Sequence, residues 1–185
     1  MRKQGLLVRF EAAKGRDHEL ETFLVSALDA AAGSCFAVQF GRSEYGVFAF
    51  PSAVTSPGTE LLASEARSET LAVLAHKLPK LPAPAPITRG LLLKFSAREG
   101  RQSELERFLR SACDVVEQEA GTAAWYALRL AGGGYALFAV FPDDAQRFTH
   151  LTGPVPRALT EQALALLDGV PDMDLLQVLA ARLGS

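Results

Sequence analysis

Asparagine is missing from this chain altogether, and several other residues are scarce. Only two cysteines occur, Cys35 beside Phe36 and Cys113 within a helical apolar stripe. Two thiols are too few for a disulfide framework, so both are expected as reduced core residues. Three histidines scattered along the chain give no zinc-type ligand spacing, and no dinucleotide fingerprint is present; neither a metal nor any other cofactor is expected. An excess of one charge is lacking too. Lys and Arg number 19 against 21 Asp and Glu, a net charge of -2, which removes the electrostatic case for binding nucleic acid or an anionic membrane surface. No apolar run approaches the roughly 20 residues of a membrane span. The opening MRKQGLLVRF lacks the apolar stretch and small-residue cleavage site of a signal peptide, so a cytoplasmic location is expected. What is present, 185 residues of which 49% are hydrophobic and 22% charged, suffices for one large or two small globular domains.

The chain repeats itself. Residues 5–28, GLLVRFEAAKGRDHELETFLVSAL, lie without a gap against residues 90–113, GLLLKFSAREGRQSELERFLRSAC, with 14 of 24 positions identical. Composition alone would give about one or two matches, so the pattern implies two copies of one unit. Further on, CFAVQFGRSEYGVFAFP (35–51) matches WYALRLAGGGYALFAVFP (125–142). Between the copies runs LPKLPAPAPITRG, whose four prolines suit neither a helix nor a central strand. The expected organisation is therefore unit 1 over 1–78, a linker over 79–88 and unit 2 over 89–185.

Each copy opens with an alternating strand, LLVRF or LLLKF, and then a turn carrying Gly15 or Gly100. A helix follows whose apolar residues recur at i, i+3, i+4, i+7 and i+8: Leu20, Phe23, Leu24, Ala27 and Leu28 in one copy, Leu105, Phe108, Leu109, Ala112 and Cys113 in the other. Hairpins are predicted over about 36–50 and 123–141, turning at GRSEY and AGGGY. Second helices are predicted near 59–78 and 144–168, the latter interrupted at Pro154 and Pro156. His18 and His76 then fall on exposed helix faces. MDLLQVLAARL makes a closing strand, and the corresponding strand of unit 1 is expected to be short, irregular or lost in the proline stretch. The order β-α-β-β-α-β is the α+β ferredoxin-like unit.

Alternation within the strands suggests that Leu91, Leu93 and Phe95, with Tyr126, Leu128 and Leu130, meet the helices. The opposite face would then carry Leu92, Lys94 and Ser96 with Trp125, Ala127 and Arg129, and with Tyr135, Leu137, Ala139 and Phe141. The natural cover for that second face is the other copy's sheet.

The string GTAAWYALRLAGGGYALFAVFPDDAQRFTHLTGPV resembles the antibiotic biosynthesis monooxygenase-like proteins of the dimeric α+β barrel superfamily. The resemblance covers unit 2 and about two thirds of unit 1. It implies two ferredoxin-like units packed sheet to sheet as an intramolecular barrel, and hence a monomer or weak homodimer, because the pairing surface is already occupied. It also implies a range of activities, from cofactor-independent oxygenation of polyketides and quinols, through haem degradation, to none assigned, so the fold decides no chemistry. Trp125 matches the family's Trp position, and HLTGP around His150 matches its HL-GP pattern. The Asn that the family's oxygenase and haem-degrading patterns place near that Trp has no counterpart here.

Two readings follow. In the first, unit 2 binds a small aromatic or apolar molecule in its cavity without turnover. In the second, the protein is a cofactor-independent monooxygenase of a phenolic, quinol or polyketide substrate. His150 would then deprotonate the substrate, Arg129 or Lys94 would steady the anion, and Trp125, Tyr135 and Phe141 would wall a dry pocket. Each residue also has a plainer role available. Trp125 can fill the core, His150 can be a satisfied structural histidine, and Arg129 and Lys94 can pair with acids such as Glu11. AGGGY lacks phosphate-loop spacing and reads as a hairpin turn.

Overall fold

The computed structural model describes residues 4–50, 54–78 and 86–184. The elements run β1 (Gln4–Glu11), α1 (Asp17–Asp29), β2 (Ser34–Gly41), β3 (Glu44–Phe50), a single 3-10 turn at Thr59–Leu61, β4 (Arg67–Lys77), β5 (Arg89–Ala97), α2 (Gln102–Val116), β6 (Ala124–Leu130), β7 (Tyr135–Phe141), α3 (Asp144–Leu151), α4 (Pro154–Leu166) and β8 (Leu167–Arg182). The chain divides into two compact units. One holds the chain up to Leu71 together with the stretch from Leu176 onward, and the other is Ala72–Leu175. Of the predicted linker, residues 79–85 lie outside the described residues.

In the first unit the strand order is β4-β1-β3-β2-β8, and in the second β8-β5-β7-β6-β4. Each contains the ferredoxin-like order with one strand added beside β2 or β6. The additions come from the long strands: the end of β8 pairs with β2, Cys35 opposite Arg182 and Val38 opposite Val178. The helix predicted over 59–78 is not formed. Its place is taken by the 3-10 turn and by β4, an 11-residue strand that ends before the prolines, so the fourth strand is neither short nor lost. Leu71, Leu74 and Ala75 satisfy a helical spacing, but a run this short fits a buried strand equally well, and pairing decides. His76 accordingly lies in β4, its ring stacked on Tyr126 at 6.0 Å, rather than on an exposed helix.

Register corrects the expected faces. Residues directly opposite in an antiparallel pair share a face. Leu91 lies opposite Ala139, which lies opposite Trp125; Leu93, Leu137 and Ala127 form the next row, and Phe95, Tyr135 and Arg129 the third. These rows pack with Leu105, Leu109, Ala112 and Val116 of α2 and with Val155 and Leu159 of α4, so Trp125 and Tyr135 face the helices. Tyr126, Leu128 and Phe138 occupy the opposite face with Leu92 and Lys94, and are buried as well. Both faces being apolar, alternation alone could not say which parity of β6 and β7 belongs with Leu91. The first unit has equivalent rows, with Val8, Val47 and Ala37 in one and Phe10, Tyr45 and Gln39 in the next, the residues of the first row packing with α1 through Leu20, Leu24 and Leu28.

Local chemistry sets the ends of α3 and α4. Asp143 caps α3, its Oδ1 accepting the Gln146 N–H at 2.9 Å. Pro154 opens α4, where its missing N–H costs nothing, so the helix breaks at the predicted place. The AGGGY segment is a hairpin turn, closed by Gly133 N–H to the Leu130 carbonyl at 3.0 Å, with Gly133 at φ 92°.

Candidate functional site

Within the second unit, α3, α4 and the start of β8 stand over one end of the sheet's helix-facing side and enclose a cavity of about 530 Å³. Leu91, Leu93, Leu137 and Ala139 form its floor, and Leu151, Val155, Leu159 and Ala163 its helical wall. This volume falls in the range of small-molecule sites. The polar side chains on the lining are His150, Thr160 and Arg98.

His150 is the last-turn residue of α3 and is almost fully buried, at 4% exposure. Its Nδ1 lies 2.6 Å from Glu119 Oε2 and 3.4 Å from Thr122 Oγ1, and its ring tilts over Phe141 at 5.3 Å between centroids. Glu119 sits just beyond α2. The Thr122 hydroxyl donates to its Oε2 at 2.6 Å, and the buried Lys77 ammonium donates to the carbonyls of Val116 at 3.0 Å and Glu119 at 2.5 Å. Burial pushes the Glu119 carboxyl upward, but hydrogen bonds from His150 and Thr122, with the nearby Lys77 charge, outweigh it and hold the group below its ordinary 4.5. An ionised carboxylate only accepts, so Nδ1 carries a proton, and in the neutral ring Nε2 is the acceptor. Such an imidazole can take a proton from a bound hydroxyl.

The other sequence-selected residues lie elsewhere. Trp125 is wholly buried in the core beneath the helices and is not part of the lining; its Nε1 finds no hydrogen-bond partner among the described residues. Tyr135 stacks on Phe95 at 6.4 Å and donates to Glu106 of α2 at 3.4 Å. Burial and that carboxylate raise the phenol above its usual value and keep it protonated. Arg129 donates to the same Glu106 oxygen at 3.2 Å, so its charge is met from the helix rather than by Glu11. Phe141 backs His150. Lys94 projects from the opposite face, to Asp172 at 3.0 Å and Asp174 at 3.7 Å, and does not join Trp125. Glu119 and Lys77 carry no mark of this role in the sequence. Glu119 reads as part of a charged helix tail, and Lys77 as the end of a helix that does not exist.

No protein-family model and no curated protein matches the chain. Solved structures do. A candidate monooxygenase from Fusobacterium nucleatum aligns over 98% of this chain and 94% of its own, with TM-score 0.78 and 14% identity. A ferredoxin-fold protein from Listeria monocytogenes, related to antibiotic biosynthesis monooxygenases, aligns over 96% and 95%, with TM-score 0.65 and 9% identity. The chain has the fold of the antibiotic biosynthesis monooxygenase-like proteins. A protein of unknown function from Nitrosomonas europaea is 33% identical over 54% of this chain and 96% of its own, with TM-score 0.52.

In this monooxygenase-like fold the cavity lies between helices and sheet. Among the described residues no group of three or more His, Cys, Asp or Glu is placed to hold a metal ion, and no helix is long and apolar enough to cross a membrane.

Proposed function

We propose that the chain binds a small aromatic or apolar molecule in the cavity of Ala72–Leu175. The carrying observation is a mainly apolar space of about 530 Å³ with one histidine on its wall, hydrogen-bonded by the half-buried Glu119 carboxylate. An apolar body is desolvated there, and one ligand hydroxyl meets Nε2 of His150. Trp125, Tyr135 and Phe141 lie beside the floor on the same face of the sheet, in the core that holds it in place.

Because Glu119 sets the tautomer of His150, a second reading is worth testing: cofactor-independent oxygenation of an electron-rich phenol or anthrone. His150 would remove the hydroxyl or enolic proton, and the substrate anion would then reduce dioxygen. One oxygen atom would enter the substrate in place of two hydrogens and the other would leave as water.

The repeat belongs to the same proposal. The 14 identities in 24 positions, the equivalent strand registers and the match of about half this chain to nearly the whole of a Nitrosomonas europaea protein support descent of the two halves from one unit. A monomer or weak homodimer in the cytoplasm, its two thiols reduced, completes the reading.

Isothermal titration with 1-naphthol tests it. Saturable binding at one site per chain is expected, weakened at least tenfold in Ala163→Trp, which fills the cavity. No binding, or binding indifferent to Ala163→Trp, rejects the assignment. Oxygen uptake with naphthols, quinols and anthrones, lost in His150→Ala, would establish the second reading.

A further inference from the structure

The cavity is long as well as apolar. Its lining takes Leu91 and Leu93 from β5 and Arg98 from just past the end of that strand, and at about 3.3 Å per residue Leu91 and Arg98 stand up to about 23 Å apart along the chain. His150 belongs to the Leu91 end, since it packs on Phe141, whose strand partner is Arg89. Arg98 belongs to the other end, its backbone N–H bound to the carbonyl of Leu166 at 2.8 Å, where α4 gives way to β8. The two polar ends are thus separated by aliphatic wall.

Arg98 is exposed and, like Arg107 and Arg157, holds no carboxylate among the described residues, but of these three it alone lies on the cavity lining. Arg89, Arg101, Arg110, Arg129 and Arg147 are each ion-paired. Among the described residues no hydrogen bond or ion pair engages the Arg98 guanidinium, which opens onto the cavity beside Leu167 and Gly169 of the lining. At the matched position of the first copy stands Ala13, so this cation is not a general requirement of the repeat. Beside it the mouth is apolar: Leu164 is 86% exposed and Val170 94%.

We infer that the ligand is an elongated amphipathic carboxylate, its acid group on Arg98 and its apolar body running along β5 toward His150. This rests on the cavity assignment above and adds the polarity and direction of the ligand. A planar guanidinium suits a carboxylate because it donates two parallel hydrogen bonds. The site being half open to water, the charge contributes direction and a modest gain in affinity, while the tail contributes most of the binding. Each buried methylene tightens binding about fourfold.

Displacement of bound 1-naphthol from the intact chain by decanoate, dodecanoate, decanol and dodecanol separates these parts. Decanoate is expected to bind about fivefold more tightly than decanol, dodecanoate more tightly than decanoate, and Arg98→Gln to abolish the acid's advantage while leaving decanol unchanged. Naphthol bound and displaced equally by acid and alcohol, or an Arg98→Gln effect shared by both, overturns the inference and leaves the cavity assignment standing. Failure of naphthol itself to bind overturns both. Arg98→Lys, which keeps the charge but loses the fork, should retain part of the preference; complete loss there together with an unfolded spectrum would assign Arg98 a structural role instead.

Discussion

Nδ1 of His150 lies 2.6 Å from Oε2 of Glu119, and the two residues come from different elements, α3 and the turn after α2. The pair fixes which imidazole nitrogen is protonated, and therefore what the cavity meets. In Glu119→Gln the amide can present either its oxygen or its nitrogen, so the constraint is lost. Nitrogen-15 chemical shifts of the ring should change from one dominant tautomer to a mixture. Loss of one charge-assisted hydrogen bond should cost about 1–3 kcal/mol in urea unfolding. Unchanged ring shifts would show that the cavity wall, not Glu119, orients His150.

The same carboxylate makes stability depend on pH. Its pKa in the folded chain lies below the ordinary 4.5, so the unfolded chain binds the proton more readily. The stabilisation is therefore fully present above pH 4.5 and is lost as pH falls through the folded value. Urea midpoints of the wild-type chain should drop more steeply below pH 4.5 than those of Glu119→Gln, and the two curves should run parallel above about pH 6. Parallel curves throughout would mean that Glu119 is solvated in the folded state.

Lys77 reaches the end of α2 from β4 and satisfies two carbonyls there. Burial pulls its pKa below the usual lysine value, against the charges of Glu117 and Glu119. Lys77→Met keeps the apolar stem but strands both carbonyls, which should cost about 1–3 kcal/mol. Hydrogen exchange should quicken first in the last turn of α2 and at Glu119. A uniform change across the unit would argue for a general packing defect.

Much of this architecture was legible before the structure. The periodicity of α1 and α2 is strong, the hairpins are bounded by Gly-rich turns, and Pro154 and Pro156 mark the start of α4, because each of these signals acts locally. β4 departs from the expected helix because Leu71, Leu74 and Ala75 serve a helix as well as a strand, and only pairing with distant residues chooses between them. The faces of β6 and β7 were misassigned for a related reason: Trp125 and Tyr126 are both buried, so neither parity advertises solvent. His150 was visible through its place at the helix break. Glu119 carries no sequence mark of its own, since EQEAGT resembles any exposed helix end, and its partner lies 31 residues away.

Trp125 separates core from cavity. As the only tryptophan, at the position that resembles the family's Trp, it invites a role in stacking on ligand, yet it is wholly buried, packs with α2 and α4 residues, and contributes nothing to the cavity lining. Removing so large a side chain leaves a void that the surrounding sheet and helices cannot close, so Trp125→Ala should cost about 3–5 kcal/mol. Trp125→Phe, which keeps most of the volume and loses an indole N–H that has no partner among the described residues, should cost far less, about 1–2 kcal/mol. At a temperature where Trp125→Phe remains folded, its affinity for 1-naphthol should stay within threefold of the wild type, because Leu91, Leu137, Ala139 and His150 are untouched. A tenfold loss of affinity in a fully folded Trp125→Phe would instead make the indole part of the binding surface and move the site from the α4 end of the sheet toward α2.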